Sequence, residues 1–173
     1  MIFNTASLLA ATLLSSLALS SPLGPLGSKH NVYLIHCSPN SCPIGDCDPG
    51  EFTITAAAYF RNGPITETTS SITVPTSIRK LTGYQPKWEG VKRTVVLADG
   101  ALTANIGAKA GSLKKGEIAG DATLVSEPFV CFRDGVGRFV IQVEGDKYTC
   151  TTEYWCPSID ASAPVPSGSP SRA

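Results

Sequence analysis

The chain has 173 residues, with 14 Lys and Arg against 14 Asp and Glu, so its formal net charge is zero. Nucleic acids and anionic membrane surfaces are bound through an excess of positive charge, and this chain has none to offer, so neither is expected as a partner. Charged residues make up 16% of the chain, below the roughly 25% of ordinary domains, and Thr, Ser, Gly, Ala and Pro take their place.

The N-terminal run MIFNTASLLAATLLSSLALS reads as a secretory signal peptide over residues 1–20. Its apolar stretch, Leu8 to Leu19, ends in the small residues Ala18 and Ser20 at the −3 and −1 positions of a cleavage site. It is shorter than the ~20 residues a membrane span needs. Residues 21–30, SPLGPLGSKH, are Pro/Gly-rich and read as a flexible segment. A single domain is expected over 31–156, and the Pro/Ser/Ala-rich tail 157–173 is expected to be disordered because it has little to bury.

Within the domain the hydrophobic period is two. NVYLIHC (31–37) is a short apolar strand, and EFTITAAAYF (51–60) places Phe52, Ile54, Ala56, Ala58 and Phe60 on one face. The alanines leave a helical turn open around 55–59. VKRTVVLADGALTANI (91–106) sets two β-rich runs about Asp99-Gly100, a dipeptide suited to a type I′ hairpin turn. GEIAGDATLV (116–125) supplies another strand. Asp134-Gly135 and Glu144-Gly145 then separate the runs 128–133, 138–143 and 147–155, which predicts a three-stranded antiparallel meander. The spacing implies an all-β fold, an antiparallel β-sandwich or barrel of about 8–9 short strands.

The cysteines fall into two trios, Cys37, Cys42, Cys47 and Cys131, Cys150, Cys156. An even count behind a signal peptide predicts disulfides. Zinc would need four tetrahedral ligands, commonly with C-x2–4-C spacing; the C-x4-C spacing reaches only the outer limit. DCDPGE (46–51) resembles the start of a calcium loop, but Gly50 comes one place early and Ala57 stands where a Glu is needed. No metal and no cofactor is therefore expected. In a meander, Cys131 and Cys150 lie two inter-strand spacings apart, about 9–10 Å, beyond the about 7 Å a bridge spans. The expectation is one local N-terminal bridge and two bridges tying the first strand into the C-terminal sheet.

No nucleophile motif or metalloprotease motif occurs, and both histidines, His30 and His36, are early. Carboxylates at Glu89, Asp99, Asp121, Glu127 and Asp134 show no spacing that selects a catalytic pair. A non-enzymatic protein is expected. Tyr84 and Trp88, with Tyr154 and Trp155, form two aromatic pairs that would stack on sugars or anchor a protein if exposed, and would fill the core if buried.

The stretches NVYLIHC, YFRNGP, KWEG, GEIAGDATLV, FVCFRDG and CTTEYWC, behind a short signal, make the chain resemble the small secreted cysteine-containing proteins of filamentous fungi, from which plant-pathogen effectors are drawn. The resemblance covers roughly residues 31–156. It implies secretion, into the extracellular space or onward into host cells, and a role in virulence through binding a host protein or suppressing defence. The alternatives are a carbohydrate-binding wall protein, with polysaccharide as partner, and a small hydrolase.

Overall fold

Short runs of Val, Ile, Thr and aromatic residues separated by Gly-containing turns cannot make helices of useful length, but they pair readily as strands. The computed structural model describes residues 29–41, 52–65, 71–83 and 86–160. The strands are β1 (Asn31–Pro39), β2 (Ile54–Phe60), β3 (Ser77–Lys80), β4 (Arg93–Leu97), β5 (Gly100–Ile106), β6 (Ile118–Leu124), β7 (Glu127–Arg133), β8 (Arg138–Val143) and β9 (Asp146–Pro157). All ladders between them are antiparallel, in the order β3-β2-β1-β9-β7-β6-β5-β4, with β8 also on β9.

The two ends of that order meet. β3 and β4 lie side by side without a backbone ladder, and side chains bridge the seam. Arg79 Nε donates to the Val96 carbonyl at 3.0 Å. The Ser77 hydroxyl donates to Asp99 at 2.7 Å, and Arg61 pairs with the same carboxylate. The result is an all-β, nearly closed barrel. β3 carries no sequence signal of its own, because four residues are too few to show a period. At the same end of the barrel, His30 Nδ1 lies 2.8 Å from the Glu127 carboxylate, and both side chains are buried.

Two hydrophobic cores result. The barrel interior holds Val32 and Leu34 with Tyr59, Trp88, Leu102, Ile106, Phe129 and Tyr154. The opposite faces of β1 and β2 bury Tyr33, Ile35, Ala56, Ala58 and Phe60 against Phe139 and Ile141 of β8 and Tyr148 of β9. Phe60 and Phe139 meet edge-on at 6.2 Å although β1 and β9 stand between their strands. The sheet must therefore curl over itself. β1 and β2 are buried on both faces, so the alanines of 56–58 serve a strand packed from two sides and no helical turn forms there.

The turns divide. Glu144-Gly145 closes the β8–β9 hairpin with φ of 55° and 97°, the pair of positive angles a type I′ turn needs. Asp99-Gly100 differs from expectation. Leu97 pairs with Gly100, so the loop residues are Ala98 and Asp99, and only Gly100 takes a positive φ. Asp99 is placed to turn its carboxylate onto the seam. The expected meander also differs: β7 and β8 both pair with β9, at different stretches of the same edge, and not with each other. Asp134-Gly135 is thus a bend between two strands laid end to end.

Both described disulfides are direct cross-strand bridges rooted on β9: Cys37–Cys150 to β1 and Cys131–Cys156 to β7. The first ties the N-terminal strand to the C-terminal one, as expected. The second corrects the expectation that two bridges would do so, since Cys131 finds its partner within its own trio. The reason is that β7 borders β9 directly, bringing 131 and 156 into register. Cys42 and Cys47, and the local bridge expected of that region, lie outside the described residues. The ordered strands also pass the expected domain edges. β9 includes Pro157, the Ser158 amide donates to the His30 carbonyl at 2.9 Å, and the Ile159 amide donates to Pro128 at 3.1 Å.

Candidate functional site

The aromatic residues singled out by sequence separate on folding. Trp88 and Tyr154 are buried in the barrel, so neither presents a face for a ligand. Trp88 sits in the loop before β4, where apolar packing inside the barrel outweighs any use at the surface. Tyr154 is held there by its hydroxyl, which donates to Glu89, and by the Arg133 guanidinium 5.3 Å from its ring centre. Tyr84 lies outside the described residues. Trp155 alone of the described three remains partly open.

The reason is a bulge. Tyr154 pairs with Leu34 and Thr152 pairs with Ile35, so Glu153 is an extra residue opposite no partner on β1. An extra residue shifts the alternation of the strand by one. Before it, Tyr148 and Cys150 face the second core; after it, Tyr154 and Cys156 face the barrel. Trp155 is thereby turned to the margin of the second core. Its indole N–H donates to Asn31 Oδ1 at 2.8 Å, and its ring lies against Phe132 with centroids 6.1 Å apart. The indole is fixed before any ligand arrives.

Trp155 walls a cleft of about 260 Å³. Tyr33, Pro64, Ile65 and Phe139 supply apolar lining; Lys115, Asp134, Arg138 and Thr152 supply polar groups. Asp134 is largely buried, with Lys115 Nζ 3.3 Å from its Oδ1. A methyl group on Gly137 would come within 2.5 Å of Asp134 Oδ2 and 3.2 Å of the Thr152 hydroxyl, so the glycine lets this carboxylate lie close to the strand. The Tyr33 oxygen accepts from the Ile65 amide at 2.9 Å. Burial, opposed by that hydrogen bond and reinforced by the charge of Asp134, pushes the Tyr33 phenol up to about 12, so it keeps its proton and can donate it. Arg138 is exposed and has no ion-pair partner among the described residues.

The sequence offers Asp134 as a turn residue and as one of five carboxylates without a selected partner, and it does not single out Tyr33, Lys115, Arg138 or Thr152. Their positions span more than a hundred residues, and only the curl of the sheet brings them together. The FRDG stretch around Asp134 was the one visible signal.

The fold also gathers two carboxylates. Glu153, at the bulge, is raised to about 7, chiefly by burial and then by the negative charge of Glu89, with Arg133 and Lys87 acting in the opposite sense. Glu89 is occupied by the Tyr154 hydroxyl, and burial and that bond raise the phenol well above its ordinary value. Among the described residues no three His, Cys, Asp or Glu side chains cluster as metal ligands. No described helix is long and apolar enough to cross a membrane. The disulfides fit an oxidising, extracellular setting.

No protein-family model matches the chain, no curated protein is similar enough to match it, and no solved structure matches it.

Proposed function

We propose that this chain is a secreted, non-enzymatic binding protein of the fungal effector kind, acting on a host partner that it engages through the Trp155 cleft. The observation that carries this reading is the cleft itself: a preset indole and apolar walls beside a few convergent polar groups, the composition of a ligand site. Disulfides that hold both flanks of β9, the strand bearing Trp155, support it by keeping the site rigid outside the cell. The carboxylate pair supports chemistry less well, because Glu89 is already committed to Tyr154.

The reading is tested by capturing host extracellular proteins and glycoproteins with the oxidised protein, using wild type, Arg138→Glu and Gly137→Ala side by side. A partner retained by wild type and lost by both variants supports it. Retention of the same partner by both variants, or no partner at all for wild type, overturns it.

A further inference from the structure

The cleft is small. At about 260 Å³ it lies just under the roughly 300 Å³ where drug-sized sites begin, so it takes one ring or one side chain, not an extended chain. A neighbouring depression of about 290 Å³ lies along the loop from Phe60 to Ile65, but its one charged side chain, Arg61, is already held by Asp99. The Trp155 cleft differs in having polar groups still able to act.

Its chemistry narrows the occupant. The lining carries two cations and one carboxylate. Lys115 already lies on Asp134, which leaves the Arg138 guanidinium as the uncompensated charge among the described residues. A cationic ligand would meet that charge with Asp134 already neutralised. A planar guanidinium is suited to a carboxylate, which it can bind through two parallel hydrogen bonds. A carboxylate alone would leave much of the site unused. The fixed indole offers apolar surface, and the Tyr33 O–H, the Thr152 hydroxyl and the Asp134 carboxylate, whose buried Oδ1 has no hydrogen-bond partner among the described residues, offer donors and acceptors around it. A pyranose ring has an apolar C–H face and a rim of hydroxyls that both donate and accept. One carrying a carboxylate matches the indole, the two hydroxyls, Asp134 and Arg138 together.

We propose that the Trp155 cleft is a subsite for a single carboxylated sugar residue, with the ring against Trp155 and its carboxylate on Arg138. This rests on reading the cleft as the binding surface and names its ligand class. Such a residue occurs in acidic polysaccharides and at the ends of acidic protein-linked glycans, and the chemistry recognised is the same.

The chain has two tryptophans, and Trp88 is buried in the barrel, so it serves as an internal reference. The indole N–H signals of the full, oxidised protein are followed by NMR while trigalacturonic acid, 3′-sialyllactose, neutral cellotriose or a triglutamate peptide is added. The expected result is a saturable shift of the Trp155 signal, with Trp88 unmoved, for an acidic sugar. Response to trigalacturonic acid alone assigns the source to polysaccharide; response to sialyllactose alone assigns it to glycans. Cellotriose and triglutamate bind at least tenfold more weakly, and Arg138→Glu weakens the acidic sugar tenfold or more. Gly137→Ala, which displaces Asp134 without changing any charge, weakens it severalfold. The proposal is overturned if neither acidic sugar moves Trp155, if cellotriose or triglutamate binds as tightly, or if Arg138→Glu has no effect. Any of these outcomes combined with a host partner that the two variants lose would leave the binding function standing and remove only the sugar.

Discussion

The two cores of this protein are built on the same three strands, β1, β2 and β9, yet they differ in kind. The barrel interior is enclosed on all sides, and small residues such as Ala57, Ala104 and Ala122 make room there for Trp88, Tyr59, Tyr154 and Phe129. The second core is covered from one side only. Its centre is a set of edge-on rings, Tyr33, Phe60 and Phe139, with centroids 5.5 to 6.2 Å apart. Trp155 and Ile65 pack against its margin and line the cleft. An enclosed core consumes its aromatic residues in packing. A core open at one side leaves some of them with a free face, which is where a binding site can form.

Among the described residues each core contains one disulfide, and removing them separately gives the sharpest contrast. The Cys37–Cys150 bridge closes a loop of 113 residues and Cys131–Cys156 one of 25. In the loop-entropy account these contribute about 5 and about 3.5 kcal/mol. Denaturant unfolding of the Cys37→Ala/Cys150→Ala and Cys131→Ala/Cys156→Ala variants should show the larger loss for the first. Equal losses would mean that the open core does not depend on its bridge more than the barrel does.

Truncating a large side chain in each core comes next. Phe129→Ala and Phe139→Ala both fall in the roughly 3–5 kcal/mol range of buried aromatic deletions. The barrel variant should lie at the upper end, since an enclosed wall collapses poorly into the space, and the open-core variant at the lower end. A reversed order in thermal or denaturant unfolding would contradict the distinction between the cores.

The seam is tested by Asp99→Ala, which strands Arg61 and frees Ser77. Loss of one partner of a buried pair costs roughly 3–5 kcal/mol, and the partial exposure of Arg61 puts this change at the lower end. Fast hydrogen exchange confined to β3 and β4 is the expected signature.

Glu153, at the junction of the cores, predicts a pH effect. Its carboxyl is raised from 4.5 to about 7 in the fold. The folded protein therefore favours the protonated form. That stability is fully present below pH 4.5 and is lost as pH rises through about 7. Glu153→Gln should flatten the stability profile over this window, and an unchanged slope would exclude Glu153 as its source. The smallest effect is expected for Glu144→Gln, which removes an exposed carboxylate from its pair with Lys80 and leaves Lys80 over the Tyr148 ring. No measurable shift in the unfolding midpoint is predicted.

Much of the fold was legible in the sequence, because alternation and turn residues are local signals. The runs 31–37, 138–143 and 147–155 correspond to β1, β8 and β9, the two runs within 91–106 to β4 and β5, and Glu144-Gly145 forms the turn its residues favour. The site was much less legible. Trp155 stands out in the sequence as an aromatic residue, but so do Trp88 and Tyr154, which have the opposite fate. Nothing local distinguishes Glu153, a bulge residue, from its neighbours in EYWC.

An antiparallel, disulfide-stabilised β protein follows from local signals alone, because a period of two, glycine-bearing turns and an even set of cysteines can be read along the chain. Long-range pairing is what makes β7 and β8 share β9, bonds Cys131 to Cys156, and lets one inserted residue at 153 send Tyr154 into the barrel and Trp155 to the cleft. Those outcomes depend on which strands become neighbours and in what register. Neighbour and register are set by the closing of the whole sheet over two cores at once, and no window of the chain contains that information.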